Sequence, residues 1–209
     1  MTLLECRDLH YQLGDFQLTA QLKLEQGERY VLRAPSGSGK STFLDLIAGF
    51  ITPSSGEIRY GGTSWQNKKV EQRPVSYLFQ QHNLFDHLTV AQNLKLAAKD
   101  GDFAALLDSV SLPASYLKKR PHELSGGEQQ RVALARTLLL NRPIVLLDEP
   151  FSALDECTRK HVSDLTYRLQ REHGWLLLAV SHEADDITAL DAQALTIDNQ
   201  HVIFNSDLT

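Results

Sequence analysis

No apolar run in this sequence approaches the roughly 18 residues that a membrane-crossing helix needs. The most apolar stretch, residues 176–180, has the length of a buried strand. Any membrane process that the chain serves must therefore take its channel from another polypeptide. Cysteine is scarce: Cys6 and Cys157 lie far apart and lack metal-ligand spacing. That pattern points to free thiols in a reducing compartment rather than to a disulfide. Basic residues are also few, with 21 Lys and Arg against 26 Asp and Glu and no long basic run. A nucleic-acid footprint is absent, and no nucleic-acid partner is expected. Residues 1–5 lack the charged stretch and apolar core of an export signal. Neither internal repeats nor low-complexity tracts occur, and 209 residues suffice to bury a core.

What is present is a succession of strand and helix patterns. Phe16, Leu18, Ala20, Leu22 and Leu24 alternate with mostly polar residues, the period of a half-buried strand. With residues 3–9 they predict a small antiparallel sheet. Short apolar strands are expected at 30–34, 75–79, 144–147 and 175–180, and at 194–197 and 202–204 near the end. Helices are expected at 42–50, 125–140 and 156–172, with a turn at 53–56. From 90 to about 117, Leu94, Leu96, Phe103, Leu106, Leu107 and Val110 recur at helical spacing, which predicts a helical lobe closing near Pro121. Strands alternating with helices predict an α/β fold, a mostly parallel sheet covered on both faces.

Residues 36–42, Ser-Gly-Ser-Gly-Lys-Ser-Thr, join a predicted strand to a predicted helix. The N-terminus of a helix offers unpaired N–H groups and positive potential to an anion. Gly37 and Gly39 let the backbone of Ser36, Gly37, Ser38 and Gly39 wrap a phosphate. Lys40 supplies a cation to the β- and γ-phosphates, Ser41 offers a hydroxyl to Mg²⁺, and Thr42 follows in the first turn. The usual pattern begins with glycine, and here Ala34 holds that position. A second signal is the run Leu146-Leu147-Asp148-Glu149-Pro150, a hydrophobic strand ending in two carboxylates. Asp148 at the strand tip can hold Mg²⁺, and Glu149 can polarise an attacking water.

The third signal is Leu124-Ser125-Gly126-Gly127-Glu128-Gln129-Gln130-Arg131, in which Ser125 is a helix N-cap and Glu128 takes the capping-box position. This run resembles the signature of the ATP-binding cassette (ABC) family, and the other motifs stand in that family's order over nearly the whole chain. The resemblance implies a phosphate-loop ATPase fold, with a small antiparallel β subdomain and a helical signature subdomain. It implies one cassette domain over 1–209: β and phosphate-loop core to 85, helical lobe over 86–140, and the rest of the core from 141. It also implies roles. Gln80 matches the glutamine that contacts Mg²⁺ and water, residues 152–155 match the D-loop, and His182 after Ser181 matches the switch histidine. Tyr11 stands at the place of the aromatic residue that stacks on adenine. Ser125, Gly126, Gly127 and Glu128 are expected on the nucleotide of a second subunit, so that two ATP join a head-to-tail dimer. The cofactors implied are ATP and Mg²⁺.

Residues 82–90 resemble the family's stretch beside the groove for a membrane partner. Leu84 and Phe85 there read either as an exposed docking surface or as buried lobe residues. Lys118-Lys119-Arg120 reads as a solvated turn. Residues 149–155 and the run 84–90 look like importer ATPases of the small-solute class, although Asp86 replaces their usual proline. The signature's Glu-Gln-Gln-Arg occurs in lipoprotein-release and macrolide-type exporters too. The stretch beyond the switch region is short, without the C-terminal regulatory domain of sugar-importer ATPases. The expectation is an importer ATPase subunit of the thiamine, iron or molybdate sort, peripheral on the cytoplasmic face of the inner membrane. Its expected partners are an integral-membrane permease, a second copy or another ABC ATPase, and a periplasmic solute-binding protein. An exporter or lipid-handling ATPase, and a soluble ABC ATPase of DNA repair or translation, remain the alternatives.

Overall fold

Five strands with few polar residues form the centre of the molecule. In the computed structural model, which describes residues 2–81 and 83–205, β7 (Ile144–Asp148) and β8 (Leu176–Val180) are buried at every position. Such unbroken apolar runs suit parallel strands covered on both faces. They lie parallel to one another, with β6 (Val75–Leu78) beside β7 and β3 (Arg29–Arg33) beside β8. β9 (Gln193–Asp198) pairs parallel to β3 on its other side.

The antiparallel part was expected as β1 with β2 alone; it also takes in β4 and β5. β1 (Leu3–Leu13) pairs with β2 (Phe16–Glu25) and with β4 (Ser55–Tyr60), which carries the two-residue β5 (Thr63–Ser64) at the edge. β2 alternates as read, with Leu18, Ala20, Leu22 and Leu24 turned inward. β10 (His201–Phe204) pairs parallel to β2 and antiparallel to β9, so a single ten-stranded sheet runs β5-β4-β1-β2-β10-β9-β3-β8-β7-β6.

Helix α1 (Lys40–Ala48) packs Phe43, Leu44, Leu46 and Ile47 against one face of this sheet, in a core that includes Trp65 and Leu146. On the other face α4 (Gly126–Leu139) and α5 (Glu156–His173) cover Val31, Val145, Leu147 and Leu177. A third apolar cluster holds the helical lobe, where Val90, Leu94, Phe103, Leu107 and Val110 meet Val132 and Ala135 of α4.

The lobe is not one continuous helical run. α2 (Val90–Lys95) and α3 (Phe103–Ser109) are short and separate, each begun by its own cap, Thr89 and Asp102. Leu96 falls at the end of α2 and is 55% exposed, so it leaves the buried stripe to which its spacing assigned it. A five-residue helix, α6 (Asp185–Ala189), follows β8 and was not foreseen. Among the described residues no helix is long and apolar enough to cross a membrane. Both cysteines are free; Cys6 is buried, which pushes its thiol up to about 12, and Cys157 is exposed.

Candidate functional site

β3 ends at Arg33, and the chain loops over to enter α1 at Lys40. Gly39 is the N-cap of α1 at φ 104°, and a Cβ there would lie 2.7 Å from the ring of Phe16. Left-handed backbone and crowding both demand glycine at this point. The sequence reading missed Phe16 as a neighbour of the loop. Tyr11 packs edge-on against Phe16 at 6.4 Å, which brings Tyr11 near the loop through that ring. Ala34 lies outside the left-handed region, so its methyl meets no conformational penalty where glycine is usual.

The start of α1 stands out among the helix starts. α4 and α5 are capped by the side chains of Ser125 and Asp155. α1 has no side-chain cap and no acid in its first turn. Its first N–H groups have no intrahelical acceptor, and the helix dipole makes that end positive. Lys40, only 6% exposed, donates from Nζ to the carbonyls of Ala34 at 2.8 Å and Pro35 at 3.1 Å. Burial lowers its pKa, against the pull of Glu149 and Asp148. A buried cation at an uncapped helix end is chemically suited to hold an anion. Ser38 braces the loop by donating its hydroxyl to Pro35 O at 2.7 Å, while Ser36 and Gly37 are exposed at the rim.

Across from the loop, β7 delivers Asp148 and Glu149. Asp148 is 3% exposed; burial raises its pKa, against the opposing pull of the nearby Ser41 hydroxyl. These two hard oxygen donors fit Mg²⁺, which takes one or two protein oxygens and fills its shell with phosphate and water. Among the described residues no three His, Cys, Asp or Glu side chains gather as an all-protein metal cage, and Mg²⁺ with a nucleotide needs none. Glu149 sits at φ 51°, unusual for a residue with a side chain, and its N–H donates to Val180 O at 3.0 Å. Its Oε1 lies 2.8 Å from Nε2 of His182, which follows β8. Ser181 donates to the buried Asp186 and accepts from Glu183 N at 3.0 Å, which fixes the turn that carries His182. Ser41, Lys40, Asp148, Glu149 and His182 thus converge at the ends of β3, β7 and β8.

The signature run begins α4 and touches that cluster through Gln130, whose Nε2 donates to Glu149 O at 2.6 Å. Ser125 caps α4, accepting from Glu128 N at 3.3 Å while Glu128 Oε2 accepts from Ser125 N at 2.7 Å. Tyr116 donates to the other oxygen of Glu128, so that carboxylate is engaged at both oxygens. A Cβ on Gly126 would meet nothing within 4 Å, whereas one on Gly127 would lie 2.8 Å from Ala153 O. Gly126 therefore faces open space and Gly127 packs on the 152–155 loop. Gln80 is exposed on the loop after β6 and lines a cleft with Gly126, Gln129 and Ser152. Among the described residues no hydrogen bond ties Gln80 to Ser41 or Asp148. Leu84 and Phe85 divide between their two readings: Leu84 packs against two apolar clusters, and Phe85 is 49% exposed. His82 of the same stretch lies outside the described residues.

Among the described residues no hydrogen bond joins residues 36–42 to residues 124–129. The profile of the ABC transporter family matches residues 18–152. This chain belongs to the ABC transporter family. The cassette is 42% identical to the thiamine import ATP-binding protein ThiQ of Brucella abortus biovar 1 (strain 9-941), over 92% of this chain and 83% of that one. It is 39% identical to the protein of the same name from Escherichia coli (strain K12), over 93% and 88%. The fold matches the dimeric ABC transporter cassette MJ0796 with a TM-score of 0.84 and 28% identity, covering 100% of this chain and 99% of that one. The same cassette in a dimeric post-hydrolysis state with ADP and Pi matches with a TM-score of 0.84 and 27% identity. The cassette is an ATPase that uses ATP and Mg²⁺ and serves a membrane transporter.

Proposed function

We propose that this cassette drives thiamine import, docked on the cytoplasmic face of the inner membrane against an integral-membrane permease that a periplasmic solute-binding protein supplies. The observation that carries the reading is the 42% identity to a thiamine import ATP-binding protein over 92% of the chain. The run 149–155, which resembles small-solute importers, supports the same direction of transport. Residues 1–209 act as one cassette domain, divided at 85 and 140.

In this reading the uncapped start of α1 binds the phosphates through Ser36, Gly37, Ser38, Gly39, Lys40, Ser41 and Thr42. Lys40 exchanges its two loop carbonyls for phosphate oxygens. Ser41 and Asp148 would hold Mg²⁺, which supplies charge neutralisation on the phosphates, and Gln80 would close on the same group from its loop. Tyr11 stacks on the adenine. Glu149 takes the proton of the attacking water, and His182 holds the Glu149 carboxylate and the γ-phosphate. Ser125, Gly126 and Gly127 present the start of α4 to the nucleotide of the second subunit. Glu128 holds Ser125 in place. ATP thereby joins two half-sites, and its binding energy closes the dimer.

The test is uptake. Removing this chain from its host abolishes energy-dependent accumulation of labelled thiamine, and the wild-type chain restores it. Unchanged thiamine uptake, with loss of a different solute's uptake or of an export activity, would overturn the assignment.

A further inference from the structure

Gln130 stands one turn into α4, on the side facing the loop after β7. Its Nε2 donates to Glu149 O at 2.6 Å and lies 3.5 Å from Ser152 Oγ, while its Oε1 accepts from Ala153 N at 3.2 Å. Glu149 adopts φ 51°, a conformation that non-glycine residues keep only when the surroundings hold it. Its N–H is held by Val180 O at 3.0 Å and its carbonyl receives Ser152 Oγ at 3.1 Å. Ser152 belongs to the same loop and moves with it. The Gln130 side chain reaches across from a separate helix, and the close fit of Gly127 against Ala153 O fixes the approach of that helix.

We infer that Gln130 is a positioning residue for hydrolysis: it holds the Glu149 backbone in its left-handed conformation and so aims the Glu149 carboxylate at the water. The inference rests on the reading of Glu149 as the base. The geometry asks for one group that donates to a carbonyl and accepts from an N–H at the same time. A primary amide does both, and asparagine is one carbon shorter. The Gln130 amide is engaged by the backbone of Glu149 and Ala153, and its loss is expected to leave ATP binding intact and to lower turnover.

The experiment measures ATP affinity by equilibrium titration and hydrolysis under single-turnover conditions on the full chain, for wild type and three variants. Gln130→Met keeps length and removes both hydrogen bonds. Gln130→Lys keeps a donor for Glu149 O, and Gln130→Glu keeps only the acceptor for Ala153 N. The expected result is unchanged ATP affinity in all three, hydrolysis lowered about tenfold in Gln130→Met, lowered at least as far in Gln130→Glu, and partly recovered in Gln130→Lys, which keeps only the donor. Should Gln130→Met fail to fold, the comparison of Lys with Glu still decides. Wild-type hydrolysis in Gln130→Met, or equal loss in the Lys and Glu variants, would overturn the inference. A parallel Glu149→Gln variant separates the two levels: if it hydrolyses like wild type, the reading of Glu149 itself has failed. If it is inactive while Gln130→Met is normal, only the role of Gln130 has failed.

Discussion

Nε2 of His182 and Oε1 of Glu149 are 2.8 Å apart, joining the turn after β8 to the turn after β7. The Glu149 side chain is 15% exposed and that of His182 42%, so the pair lies at the mouth of the site. Replacing His182 with alanine removes the partner that orients the carboxylate but leaves the phosphate loop untouched. His182→Ala is expected to lower hydrolysis by about 10²-fold or more with ATP affinity preserved, as measured by single-turnover hydrolysis beside equilibrium binding.

Lys40 spends both observed hydrogen bonds on the loop's own carbonyls, at 2.8 and 3.1 Å. A buried ammonium that exchanges these for phosphate oxygens gains charge-assisted bonds, each worth about 1.5–3 kcal/mol. Lys40→Ala is expected to weaken ATP by more than about tenfold, read by titration calorimetry, with the fold retained by circular dichroism.

Gly126 and Gly127 are adjacent, yet their surroundings differ. A methyl on Gly127 would press on Ala153 O at 2.8 Å, while one on Gly126 would project into open space. Gly127→Ala is expected to lower the melting temperature of the isolated chain. Gly126→Ala is expected to leave it unchanged and, on the proposed head-to-tail arrangement, to weaken ATP-driven dimerisation, because its methyl would project toward the second subunit's nucleotide. Thermal melts and sedimentation with ATP-Mg²⁺ separate the two effects.

The Glu128 carboxylate is held below its ordinary range, first by the Ser125 N–H and then by the Tyr116 hydroxyl. Since the folded value lies below the unfolded one, the unfolded chain binds the proton more readily. The stabilisation is therefore present above the ordinary glutamate range and lost as pH falls through the depressed folded value. Melting curves of wild type and Glu128→Gln should differ at neutral pH and converge as pH falls below the depressed folded value. Ser125→Ala, which removes the other half of the cap, should cost about 1 kcal/mol at neutral pH.

Much of this was legible in the chain before its fold. β7 and β8 are continuous apolar runs, and such runs have few other places to go than the middle of a parallel sheet. The phosphate loop, Asp148 with Glu149, and Ser181 with His182 are local patterns, each placed at a strand end by its own flanking residues. What stayed hidden was set by distant partners. β4 buries only Ile58 fully, so its pattern is weak, and it is held by pairing with β1. The lobe's apolar spacing reads as one helical run because the residues of α2 and α3 share a single cluster, although separate caps divide them. Gln130 bonds to a carbonyl 19 residues away, and Phe16 meets Gly39 across a loop. No spacing rule reports either contact.

The most direct test of the account is the mass of Glu149→Gln in saturating ATP-Mg²⁺. The variant keeps the phosphate loop and the signature start but lacks the base that would let the nucleotide be consumed. Multi-angle light scattering should give a stable dimer with ATP-Mg²⁺ and a monomer without nucleotide. A monomer under both conditions would contradict the claim that ATP joins two half-sites.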